Sequence, residues 1–176
     1  ETGTQAVANG LGATAFGPGA SAGDGGTAAD GSTAVGRKAT VTAEGGTGLG
    51  WATTVSAKDG TAIGHSATAS IAGGVAIGSD SVTTAAAGVQ GYNPADSRTN
   101  KYSDQAGAIG TSTLAAVSVG NGLTATRQIT GLAAGTADTD AVNVAQLKNV
   151  NLKYAGDTGN SDVLLKDHTL NINGDT

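Results

Sequence analysis

TAVGRKATVTAEGG (33–46), TGLGWATTVSAKDG (47–60), TAIGHSATASIAGG (61–74) and VAIGSDSVTTAAAG (75–88) follow one another without a break, four units of 14 residues aligned on their glycines. The third place is branched and apolar (Val35, Leu49, Ile63, Ile77), the fourth is Gly36, Gly50, Gly64 or Gly78, and the last is again glycine. Small or β-branched residues fill the seventh, ninth and eleventh places, as in Ala39, Val41 and Ala43 or Thr53, Val55 and Ala57. Alternation with a period of two is the mark of a strand with one face in and one face out. Each unit therefore reads as a short strand, a glycine turn, a longer strand and a second turn. A unit this short holds no helix and cannot bury its own face. Successive units are expected to stack as coils of a solenoid about 4.8 Å apart, with like positions in columns. The third-place residues are expected to form its interior column. A partial unit, TAFGPGASAGDGG (14–26), starts the pattern near the N-terminus.

Composition sharpens this. The 176 residues include 30 glycines, no cysteine and no methionine, and the aromatics are Phe16, Trp51, Tyr92, Tyr102 and Tyr154. Small side chains must fill any interior, so each chain has a thin core, and a thin core predicts oligomerisation. The alternative, disorder of a Gly/Ala/Ser/Thr-rich tract, is argued against by the fixed period. Fourteen acidic and nine basic residues give a net charge of −5 and are scattered singly, which excludes a basic stripe for nucleic acid. The absence of cysteine excludes disulfides and thiolate metal sites and fits an extracellular protein. No apolar run is long enough to span a membrane.

Beyond residue 88 the register breaks. VQGYNPADSRTNKYSDQAG (89–107) reads as an insertion, strand-like text resumes over 108–122, and TRQITGLAAGTADTDAVNVAQLKNVN (126–151) ends in a helix signal. Asp138 or Thr139 is the expected cap, Asp140 lies in the expected first turn, and Val142, Ala145 and Leu147 share a face. A helix of about a dozen residues is marginal alone and needs partners for that face.

These residues carry a resemblance. The repeated x-A-[VLI]-G units, the insertion beginning GYNPAD and the string TRQITGLAAGTADTDAVNVAQLKNV resemble the head and neck of YadA-like trimeric autotransporter adhesins over roughly residues 4–151. The resemblance implies a left-handed parallel β-roll in each chain of a homotrimer. It implies a head at 1–122 with its insertion at 89–107, a neck at 123–140, a short trimeric coiled coil at 140–151 and the start of a further β-rich module at 152–176. It implies display on a bacterial cell surface through an outer-membrane anchor absent from this chain, so that this segment makes no membrane contact itself. The expected partners are host matrix proteins such as collagen, fibronectin and laminin, host cells or abiotic surfaces. The alternative is a spacer within a long fibre that binds nothing.

Enzymatic readings fare poorly. Hexapeptide-repeat acyltransferases use a period of six and a histidine base, whereas the period here is 14, and His65 and His168 lie in different modules with no evident carboxylate partner. Calcium β-rolls repeat Gly-Gly-x-Gly-x-Asp, approached once at Gly23–Gly26, and ice-binding ladders need a regular Thr-x-Thr that is absent. No catalytic residue, cofactor or metal is expected. What remains is binding by surface. The fifth place reads Arg37, Trp51, His65, Ser79 on successive coils, an outward ladder with the anchor types that dominate interfaces. Its plainer reading is a tolerant position, or one where Trp51 packs on a neighbouring chain. Tyr92, Arg98, Lys101 and Tyr102 in the insertion form a second candidate surface, although a loop folded over the end of the solenoid explains them as well.

Overall fold

The computed structural model describes residues 4–23, 29–91, 110–156 and 159–164. It divides into two compact units, Glu1–Gln128 and Ile129–Thr176.

The first unit is a parallel roll of two sheets. One sheet holds the two-residue strands β1 (Val7–Ala8), β3 (Ser21–Ala22), β5 (Thr40–Val41), β7 (Thr54–Val55) and β9 (Thr68–Ala69), in that order. The other holds the three-residue strands β2 (Thr14–Phe16), β4 (Thr33–Val35), β6 (Thr47–Leu49), β8 (Thr61–Ile63) and β10 (Val75–Ile77), with β11 (Val117–Ser118) added beyond β10. Every pairing within both sheets is parallel and keeps the repeat in step: Thr33 sits beside Thr47, Thr47 beside Thr61, and Thr61 beside Val75. The second stretch of each coil is thus shorter than the alternation predicts. Its later residues are spent on the turn that ends in Gly46, Gly60 or Gly74.

Two steps depart from the 14-residue pitch. Thr14 pairs with Thr33, so the first coil is longer than the 14-residue pitch. Val75 pairs with Val117, which means the chain leaves the roll and returns to lay down its last rung. It leaves and returns as an antiparallel ribbon. Gly88 N–H donates to Ser112 O (2.7 Å), Ser112 N–H to Val89 O (3.1 Å), and Gly91 N–H to Gly110 O (2.9 Å).

The interior corrects one expectation. Val35, Leu49, Ile63 and Ile77 point out of the roll, with Leu49, Ile63 and Ile77 between 37% and 46% exposed. The inward column of this sheet is the second place: Ala34, Gly48, Ala62 and Ala76. Opposite them, at the seventh and ninth places, stand Ala39, Val41, Thr53, Val55, Ala67 and Ala69, all buried as the alternation predicts. The reason is width. A Cβ on Gly48 would lie 2.9 Å from Cγ2 of Val41 and 3.2 Å from Oγ1 of Thr53, so at this coil the space between the sheets is filled before even a methyl group is added.

Among its described residues the second unit contains one helix, α1 (Val144–Lys148), and an antiparallel hairpin of β12 (Asn151–Gly156) and β13 (Gly159–Leu164), pairing from Asn151–Leu164 to Gly156–Gly159. The helix is shorter than the dozen residues expected, and its cap is Asn143 rather than Asp138 or Thr139. Asn143 Oδ1 accepts from Gln146 N–H (2.9 Å) while Gln146 Oε1 accepts from Asn143 N–H (3.2 Å), a reciprocal capping box. Asp140 precedes the helix and serves a separate turn, accepting from Thr136 N–H (2.8 Å) and Ala137 N–H (3.0 Å). Val142 and Leu147 remain exposed. The strand expected from the alternation at His168–Asn173 lies outside the described residues.

Candidate functional site

Each coil turns at its fourth place, and Gly50 shows why glycine stands there. Its φ is +139°, and a Cβ would meet the carbonyl carbon of Gly64 on the next coil at 2.8 Å. The fifth residue then occupies the tip of the turn, and the sixth is left-handed although it is not glycine: Lys38 at φ 58°, Ala52 at 55°, Ser66 at 54° and Asp80 at 58°. Backbone bonds tie the tips into a column. Lys38 N–H donates to Pro18 O (3.0 Å), Ala52 to Arg37 O, Ser66 to Trp51 O and Asp80 to His65 O (each 2.9 Å).

That column carries Arg37, Trp51 and His65 as consecutive exposed rungs, and their side chains touch. The rings of Trp51 and His65 stack with centroids 4.6 Å apart at 35°, and Arg37 Cζ lies 5.8 Å from the centroid of the indole ring. Arg37 comes from the coil before and His65 from the coil after, so the two flank the indole on opposite sides. Trp51 is 51% exposed and presents its rim. An exposed cation–π contact contributes about 0.5–1 kcal/mol and an aromatic pair about 0.5–1.5 kcal/mol, so the ladder is held in shape before any partner arrives.

The ladder offers binding groups and no catalytic arrangement. His65 Nε2 lies 3.2 Å from the Ser66 hydroxyl, and no carboxylate orients the ring among the described residues. No group of three metal-ligating side chains gathers among the described residues. Tyr92, Arg98, Lys101 and Tyr102, the second candidate surface, lie outside the described residues.

The opposite turn edge has its own column. Gly45 N–H donates to Asp30 O, Asp59 to Glu44 O and Gly73 to Lys58 O (2.9–3.0 Å), which lines up Asp30, Glu44 and Lys58. Lys58 Nζ meets Glu44 Oε2 at 3.0 Å, and that hydrogen bond holds the ammonium pKa above its ordinary value.

One residue that sequence reasoning missed closes the ladder's edge. The Arg127 guanidinium donates to Ser79 O (2.6 Å), Ser79 Oγ (3.1 Å), Ser81 Oγ (3.1 Å) and Val119 O (2.6 Å). A Cβ on Gly78 would lie 2.8 Å from Arg127 Cζ, so the guanidinium plane occupies the place over Gly78 that the next coil's glycine takes over Gly36, Gly50 and Gly64. No spacing rule links residues 127 and 78, because the chain leaves the roll between them.

Comparison with known proteins follows this division. The family model described as the YadA head domain repeat matches residues 2–20, 28–53 and 56–81, and the model of the coiled stalk of trimeric autotransporter adhesin matches residues 128–168. The chain is 54% identical over 63 residues to the autotransporter adhesin BadA of Bartonella henselae, a match covering 34% of this chain and 2% of that protein. It is also similar, at 26% identity and a TM-score of 0.35, to the solved collagen-binding domain of the Yersinia adhesin YadA, with 78% of this chain and 74% of that one covered. By its head repeats and its stalk sequence, this chain belongs to the YadA-like trimeric autotransporter adhesins.

Proposed function

We propose that this chain is a passenger segment of a bacterial surface adhesin that attaches by multivalent contact, three copies presenting the same faces to host matrix proteins, host cells or abiotic surfaces. The observation that carries this is the Arg37–Trp51–His65 stack, exposed aromatic and cationic side chains held in register on a rigid roll. Weak contacts at each copy sum when copies are linked, because later binding events become intramolecular. The outward apolar column Val35, Leu49, Ile63 and Ile77 supports association of the copies, since a lone chain leaves these side chains in water beside a core of alanine, valine and small polar residues. The head, insertion, neck and coiled coil are assigned to 1–122, 89–107, 123–140 and 140–151. The insertion residues Tyr92, Arg98, Lys101 and Tyr102 form a second adhesive candidate. Collagen is the first ligand to test, because the Yersinia domain carries that description; fibronectin and laminin follow.

A second reading is favoured by the same stack. The indole is engaged within the chain by His65 and Arg37, which suits a spacer whose ladder only stiffens the roll. Solid-phase binding separates the two. Saturable binding to an immobilised matrix protein that falls about tenfold in Trp51→Ala, with the monomer fold kept, supports adhesion through the ladder. Absence of binding to every matrix protein and cell surface tested supports the spacer.

A further inference from the structure

Charge is sorted between the two turn edges of the roll. Among its described residues the carboxylates are Asp30, Glu44, Asp59 and Asp80, and the first three lie along the edge that also holds Lys58. Lys58 is engaged there by Glu44. The ladder edge carries Arg37 and Lys38 side by side, followed by the rim of Trp51 and by His65. The Arg37 guanidinium lies near the indole and forms no ion pair or hydrogen bond among the described residues, and the Lys38 ammonium likewise meets no partner there. Further along, Asp80 is accompanied by the Arg127 guanidinium bonded to Ser79. A chain of net charge −5 therefore shows one edge on which cationic donors are free.

The shape of this edge narrows what can use those donors. Turn N–H groups already donate to the coil before, from Lys38, Ala52, Ser66 and Asp80, so no open strand edge is available for an added peptide strand. Trp51 already has the His65 ring at 4.6 Å and the Arg37 guanidinium carbon at 5.8 Å, so it is less open to an inserted side chain than an isolated indole. A line of exposed donors remains, with a planar guanidinium fork matched to oxyanions at one end. We infer that this edge binds an anionic polysaccharide, whose sulfate or carboxylate groups meet Arg37 and Lys38 while the sugar backbone runs along the rim of Trp51 towards His65. The inference rests on the adhesive reading of the ladder and names its ligand class. The acidic opposite edge repels the same polymer and fixes which side of the roll it approaches.

The test uses the chain flowed over immobilised heparin as a sulfated probe. Saturable binding that weakens as salt is raised is expected, falling about tenfold or more when Arg37→Gln and Lys38→Gln are combined, because charge-assisted contacts are lost. Lys58→Gln is expected to leave binding unchanged, and both proteins keep the parent β circular dichroism. Absence of binding, equal loss in Lys58→Gln, or displacement by polyglutamate as effective as by soluble heparin overturns the inference. Matrix-protein binding that depends on Trp51 without any heparin binding overturns this inference alone and leaves the adhesive reading standing.

Discussion

Asp140 and Arg127 do at the residue scale what repeats cannot. The backbone N–H of Ala137, followed by that of Thr136, favours the charged carboxylate, so the Asp140 pKa lies below its ordinary value of 3.8. A depressed folded pKa means the unfolded chain binds the proton more readily. The contribution to stability is therefore fully present above about pH 4 and is lost as pH falls through the lower folded value. An NMR titration is expected to give a carboxyl midpoint below 3.8 with the Ala137 amide shifting in parallel, and Asp140→Asn is expected to abolish that shift. Arg127 completes the final coil. With Arg127→Leu the donors to Ser79, Ser81 and Val119 disappear, and amide exchange at Asp80 and Val82 is expected to quicken about tenfold while Val55 keeps its protection. Equal acceleration at Val55 would show that Arg127 supports the whole roll rather than its end.

At the scale of elements, the strands are specified jointly rather than singly. Val41 and Val55 are the largest fully buried side chains, and Gly48 stands where the other coils have Ala34, Ala62 and Ala76. The glycine compensates for the valines. Glycine to alanine in a strand ordinarily stabilises, by removing unfolded-state freedom. Gly48→Ala is instead expected to destabilise by about 1–3 kcal/mol through overpacking against Val41, and Val41→Ala in the same chain is expected to recover most of that loss. Chemical denaturation of the three variants checks the sign and the coupling. The helix α1 follows a similar logic: its start is set by the paired side chains of Asn143 and Gln146, and these also reach Leu132 O and Gly135.

For the whole molecule, the decisive feature is the outward apolar column. Burial of Leu49, Ile63 and Ile77 at an interface would remove their exposed area from water, at about 25 cal/mol per Å². In the proposed trimer, Ile63→Asp is expected to shift the assembly towards monomer in sedimentation equilibrium, because three like charges would meet at one level. Ser70→Asp, an exposed site off this column, is expected to leave the assembly unchanged. A parent chain that sediments as a monomer would remove the trimer from the proposed function.

The amino-acid sequence alone determined the pitch of the roll, the parallel register of its coils, the glycine turns and the column of Arg37, Trp51 and His65, because a repeat of fixed length forces like positions to stack. It also carried the family. It did not determine which phase of the alternation faces inward. A period of two is satisfied with either face buried, and choosing the larger residues for the core put Val35, Leu49, Ile63 and Ile77 on the wrong side. Only the tertiary structure decided that, since the distance between the sheets, already filled by Val41, Thr53 and Val55, leaves room for no more than alanine or glycine opposite. The stacking of Trp51 between Arg37 and His65 and the Arg127 clamp on the last coil were decided there too, because both depend on contacts between coils that no local pattern encodes.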